Sequence, residues 1–204
     1  MSMESVGDPR GTIDKEIADF DAEPETAFTE STIRELIRTY PNNLDTRHVA
    51  VKVITINALY HARVLDVDLR PLSIHIAKIN ALDARLQQGD PKVVDEIWNS
   101  EGTRRHYLSF ATKFCSWHNQ NAYAIYDGNV WEALVAYGGK AGPFALPERN
   151  FVNYAAFLAI VRRFQNSYSL EGHSLKDIDK FLWHVGGRLI EAKKTQPETP
   201  ASDV

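Results

Sequence analysis

Cysteine is almost missing from this sequence. Cys115 stands alone, so no internal disulfide can form. Neither a four-cysteine zinc site nor a four-cysteine iron–sulfur cluster can be assembled. A lone thiol suits a reducing compartment, and the expected location is cytoplasmic. Long hydrophobic runs are missing too. No stretch reaches the roughly 18 apolar residues that a membrane span requires, so no membrane partner is expected. The opening residues MSMESVGDPRG lack the apolar stretch of a secretory signal. Phosphate-loop chemistry is not signalled either: the glycines from Gly138 to Gly142 are not followed by Lys-Ser or Lys-Thr. His106, Cys115 and His118 share one expected helix, but no His-Glu-x-x-His pair or second cysteine supports a metal there. No metal and no cofactor is expected.

A basic excess is also missing, since the net charge is −4. The distribution matters more than the total. Residues 1–35 hold ten acids and three bases, residues 195–204 two acids, and the span 36–194 has 20 bases against 15 acids. The body is mildly basic, which permits a nucleic-acid partner without requiring one.

What is present is helical periodicity. With 44% apolar residues, the chain can bury a sizeable core. The acidic, turn-rich residues 1–28 read as a flexible or loosely docked arm, and 195–204, with two prolines, as a disordered tail. Between them, 29–194 reads as one all-α domain of about eight helices. Glu30-Ser31-Thr32 offers a cap for Ile33, Leu36, Ile37 and Tyr40. Asp45-Thr46 opens a helix carrying Val49, Val53 and Ile56, although the β-branched tract VKVITIN leaves a strand as the local alternative. Pro71 fits the first turn of a helix reaching Gly89. A short helix around Val93–Trp98 follows, then helices over 104–118 and 127–137, a glycine-rich break at 138–143, and helices over 151–168 and 174–194. The last begins with the capping box Ser174-Leu175-Lys176-Asp177.

The stretch SFATKFCSWHNQNAYAIYDGNV, residues 109–130, carries the chemistry. Phe110, Phe114 and Trp117 form one apolar face of its first helix, and Leu108, Ala111 and Cys115 the adjoining stripe. Lys113 lies between Ser109 at i−4 and Ser116 at i+3, a narrow polar stripe. Two placements are open. The amine snorkels into water, or it points into a cleft, where loss of solvent favours the neutral amine that a nucleophile needs. Asp127 fits an N-cap. A carboxylate tied down at a helix start is also well oriented to stabilise a developing cation. The short polar turn between them, His118-Asn119-Gln120-Asn121, can bring amine and carboxylate to one pocket.

Lys113, the short loop, and Ala124-Ile125-Tyr126-Asp127 with Val130 three residues on resemble the second half of the helix–hairpin–helix DNA glycosylase signature. The likeness is closest to the 8-oxoguanine glycosylase branch, and some bacterial proteins with a similar pattern are associated with phage defence. Ser109 and Ala111 stand where the family's hairpin has glycines, and Ile125 where it has a proline. The resemblance implies an all-α fold and a DNA partner with a damaged or modified base. It implies Lys113 as nucleophile and Asp127 as the supporting carboxylate. Ser109, Trp117, His118, Asn129 and Trp183 are candidates to contact the base, with His184 beside Trp183. Arg104, Arg105, Arg162 and Arg163 are candidates for DNA phosphates. The alternative is a non-enzymatic all-α binding module on a degenerate glycosylase fold. No protein partner is inferred.

Overall fold

The computed structural model describes residues 6–138, 142–144, 146 and 152–195. Among the described residues it has ten α-helices and no strand. After a 3-10 turn at Pro9–Gly11 come α1 (Ile13–Ala22), α2 (Pro24–Thr39), α3 (Thr46–Leu59), α4 (Asp66–Lys78) and α5 (Leu82–Gln88). These are followed by α6 (Lys92–Trp98), α7 (Leu108–His118), α8 (Gly128–Tyr137), α9 (Tyr154–Ser167) and α10 (Leu175–Thr195). No helix among them is long and apolar enough to cross a membrane.

The layout centres on α7. Every residue from Phe110 to Trp117 is buried, so this helix is wrapped on all sides rather than presenting a single face. Helices α6, α3, α2 and α5 pack on it, and α8 and α10 form an extensive crossing of their own. It depends on a glycine. A Cβ at Gly186 of α10 would come within 1.9 Å of the backbone oxygen of Asn129 in α8. The absence of that carbon lets α10 lie directly against the start of α8.

Several boundaries differ from the sequence expectations. Residues 9–28, expected to belong to a flexible arm, form the 3-10 turn, α1 and the start of α2. Ile13 and Phe20 are buried, and α1 packs on α10. Two of the acids that made this stretch look like an arm are partners for bases of α10: Asp21 pairs with Lys180 at 2.6 Å and Glu16 with Arg188 at 2.6 Å. Just beyond the stretch, Glu30 pairs with Lys176 at 2.9 Å. The cap expected at Glu30-Ser31-Thr32 is mid-helix, because α2 already starts at Pro24, a favoured first position.

Pro71 is inside α4 rather than in its first turn. Asp66 and Asp68 occupy that turn instead, where carboxylates suit the helix dipole. The expected single helix to Gly89 is broken near Ala81, which has a left-handed φ of 51°. Gly89, with φ 72°, ends α5. Arg104 and Arg105 precede α7 instead of opening it, and the backbone N–H of Arg104 donates to both oxygens of Asp68 at 3.0 Å. The capping box of α10 is present: Ser174 N donates to Asp177 Oδ2 at 2.9 Å, and Asp177 N to Ser174 Oγ at 3.1 Å. The tail expected over 195–204 lies outside the described residues except for Thr195, the last residue of α10.

Candidate active site

Lys113 does not snorkel into water. Its residue is only 3% exposed. The amine donates to Ser109 Oγ at 2.8 Å, one turn back on α7, and to Asp127 Oδ2 at 2.8 Å. It also sits 5.6 Å from the centre of the Tyr60 ring. Asp127 is the N-cap of α8. Its Oδ1 accepts from Asn129 N at 3.0 Å, leaving Oδ2 for the lysine. Capping and pairing therefore use different oxygens of one carboxylate.

The end of the loop that leads into Asp127 is pinned on either side of Ile125. Tyr126 N donates to Thr112 Oγ1 at 3.0 Å, while Tyr154 Oη donates to Ala124 O at 3.1 Å. Burial pushes the Asp127 carboxyl up, but Lys113 beside it and the Asn129 N–H outweigh burial and hold it below the usual carboxylate range. It is ionised at neutral pH.

The pair lines a cavity of about 270 Å³, near the lower end of the roughly 300–1,000 Å³ typical of small-ligand sites. Leu59, Tyr60 and His61 form one side, and Ile125 sits beside Asp127. Residues of α1 and α2 form another side, among them Phe20 and Glu30. The third side is α10, which contributes Lys176, Asp179 and Trp183.

A second charged group therefore faces the first. Lys176 lies 2.9 Å from Glu30 Oε1 and 3.6 Å from Asp179 Oδ2. Burial works against the Lys176 ammonium, but Asp179, Tyr60 and Glu30 outweigh it and raise its pKa. Burial pushes the Asp179 carboxyl up to about 6, with Asp127 adding to the rise and Lys176 opposing it. Burial also raises the Tyr60 phenol to about 12.

The other expected residues divide. Ser109 reaches the site through its bond to Lys113, and Trp183 lines the cavity edge-on to Phe20 at 5.5 Å. Trp117 lies behind the cavity wall, donating its indole N–H to Tyr60 Oη at 3.2 Å, under the Lys176 ammonium. His118 is turned away. Its Nδ1 donates to Phe114 O at 2.8 Å, and Nε2 faces Asn43 and Lys52. Burial, helped by the Lys52 charge, lowers its pKa to about 4.

Asn129 packs at the α8–α10 crossing rather than in the cavity. His184 pairs with Glu16 at 2.8 Å and does not line the cavity. Arg104 and Arg105 before α7, and Arg162 and Arg163 on α9, are exposed and outside the cavity. Sequence reasoning missed Glu30, Tyr60, Lys176 and Asp179. The spacing of Lys176, Asp179 and Trp183, at i, i+3 and i+7, was the available signal for one face of α10.

Fold and site together define an all-helical domain with a buried amine–carboxylate pair in a small, charged, aromatic-walled cavity. The chain belongs to the HI_0787_N family, described as an N-terminal domain, whose model matches residues 12–122. That match includes Lys113 and stops short of Asp127. A Haemophilus influenzae protein bearing the name "Uncharacterized protein" is 35% identical over 123 residues, 59% of this chain and 58% of that protein. The aligned part thus spans little more than half of that relative. No solved structure matches the chain.

Proposed function

We propose that this domain is a DNA N-glycosylase-like enzyme, with Lys113 as nucleophile and Asp127 as the carboxylate that supports charge on the sugar. The observation that carries the reading is the 2.8 Å Lys113–Asp127 contact at the wall of a cavity. A damaged or modified base, in host or phage DNA, is turned out of the stack into the cavity. Asp127 stabilises the positive charge that builds at C1′ as the glycosidic bond weakens. Lys113 gives a proton to the departing base, which leaves with the bonding electron pair. The amine's lone pair then forms the bond to C1′. Opening of the sugar ring, with a second proton passing from nitrogen to the ring oxygen, converts the adduct to an iminium.

A non-enzymatic module remains the competing reading. It is favoured by Ser109 and Ala111 at the hairpin's glycine positions and by the full engagement of Lys113 with Ser109 and Asp127. Borohydride trapping on DNA carrying a panel of modified bases separates the two. The enzyme reading expects a covalent protein–DNA adduct that is absent in Lys113→Ala. DNA binding with no base release and no adduct across the panel would overturn it in favour of the module.

A further inference from the structure

The cavity contains more acid than it needs to hold its two lysines. Five carboxyl groups line it, from Glu23, Glu25, Glu30, Asp127 and Asp179, against the ammonium groups of Lys113 and Lys176. Neither ammonium is available for an incoming anion. Lys113 is held by Ser109 and Asp127. Lys176 is held between Glu30 and Asp179 and lies over the Trp117 ring. What remains unused is acceptor capacity. Asp179 is only 8% exposed, it lines the cavity, and its Oδ1 has no hydrogen-bond partner among the described residues. A buried carboxylate oxygen without a donor is costly, so a ligand that supplies one gains that energy. The remaining walls include the aromatic rings of Phe20, Tyr60 and Trp183, surfaces that favour flat rings and cations.

We propose that this cavity selects a planar, positively charged heterocycle bearing N–H donors, and that Asp179 is the residue that reads the charge. The choice of a nucleobase as that heterocycle rests on the glycosylase reading; the sign of the charge does not. The N–H edge of the ligand faces the Asp179 carboxylate, and its charge is matched by the carboxylate excess. Neutral bases that present carbonyl oxygens meet acceptors where they need donors. Burial and Asp127 press Asp179 toward its protonated form, and an arriving cation draws it back to the carboxylate.

Binding of free nucleosides tests this without any bond cleavage. Quenching of tryptophan fluorescence is followed at pH 7 with 1-methyladenosine, which is cationic, and with the neutral adenosine and 8-oxoguanosine. The full chain is expected to bind 1-methyladenosine at least about tenfold more tightly than either neutral nucleoside. In Asp179→Asn, checked for folding by circular dichroism, the preference should shrink to about twofold or less. Equal binding of all three, a preference for 8-oxoguanosine, or no saturable binding of the cation overturns the proposal. The wild-type comparison decides this even if the variant misfolds. A charge preference that persists while borohydride traps nothing would uphold the cation site and remove the glycosylase reading. Trapping that succeeds with no charge preference would do the reverse.

Discussion

Lys52 and Lys113 are both buried, on neighbouring helices, and their surroundings separate a structural lysine from a candidate nucleophile. Lys52, on α3, is fully buried. It donates to neutral acceptors, Asn43 Oδ1 at 2.7 Å and Asn42 O at 3.1 Å, and faces His118 Nε2 at 3.4 Å. The nearest help from a carboxylate is indirect: Asn43 passes the interaction on to Asp83 at 2.6 Å. Burial lowers the Lys52 pKa to about 8, only partly offset by Asp83. By titration alone Lys52 looks like the catalytic amine. It lines none of the described cavities, and its bonds fasten the 42–43 turn and the end of α7 to α3. Lys113 has the carboxylate, the cavity and the aromatic ring. Perturbed titration is a pointer to function only where a substrate can arrive.

Removing each amine in turn separates the two lysines with the largest expected effect. Lys113→Met should abolish the borohydride adduct altogether. Lys52→Met should keep it while losing about 1–3 kcal/mol of stability in urea melts, because the acceptors of Asn42 and Asn43 are left unpaired. An adduct that survives Lys113→Met and is lost in a stably folded Lys52→Met would move the chemistry to Lys52.

Gly186→Ala comes next in size. The added carbon meets the Asn129 backbone, so we expect overpacking to cost about 1–3 kcal/mol or more. The start of α8 would shift, and Asp127 with it. Since displacement by about 1 Å can cost about 100-fold in rate, the yield of adduct should fall even at temperatures where the variant is folded. A variant with unchanged urea midpoint and unchanged adduct would show that the close crossing does not position Asp127.

The smallest effect lies in the pH dependence. Between pH about 8 and the ordinary lysine value of 10.5, the folded state binds fewer protons at Lys52 than the unfolded state does. Stability from this group therefore rises with pH across that window. Tyrosine ionisation intrudes above about pH 10, so the clean interval is 8 to 10. The stability gap between wild type and Lys52→Met should widen from pH 8 to pH 10. A gap that is flat or narrows would mean that Lys52 keeps an ordinary amine titration in the fold.

The parts of this structure visible in the sequence were the local ones. Helices α7 to α10 carry apolar periodicity from which their existence could be read directly, whereas for α3 the β-branched tract VKVITIN left a strand as the alternative. The Lys113–Asp127 pair could also be read, because one short turn joins its two helices. The region of α1 was misjudged although Ile13, Ile17 and Phe20 have helical spacing. Its acids dominated the composition, and their partners on α10 are far away in the chain. Glu30, Lys176 and Asp179 escaped for the same reason: no window of sequence holds both Glu30 and Lys176. Pro71 misled through a sound rule. A first-turn proline is favourable, but Asp66 and Asp68 supplied a competing start one turn and a half earlier.

Glu30 and Lys176 lie far apart in sequence, on α2 and α10, and this has a consequence for synthesis on the ribosome. The turn joining α7 to α8 is a short loop, cheap to close, so the amine and carboxylate can meet as soon as α8 has emerged. The wall opposite them waits for α10, which is translated after the other described helices. Until then α1 and α2 lack the bases that hold them. A nascent chain that stops short of α10 thus carries the amine–carboxylate pair without an enclosed chamber, and α10 is needed to shut the pair away from water.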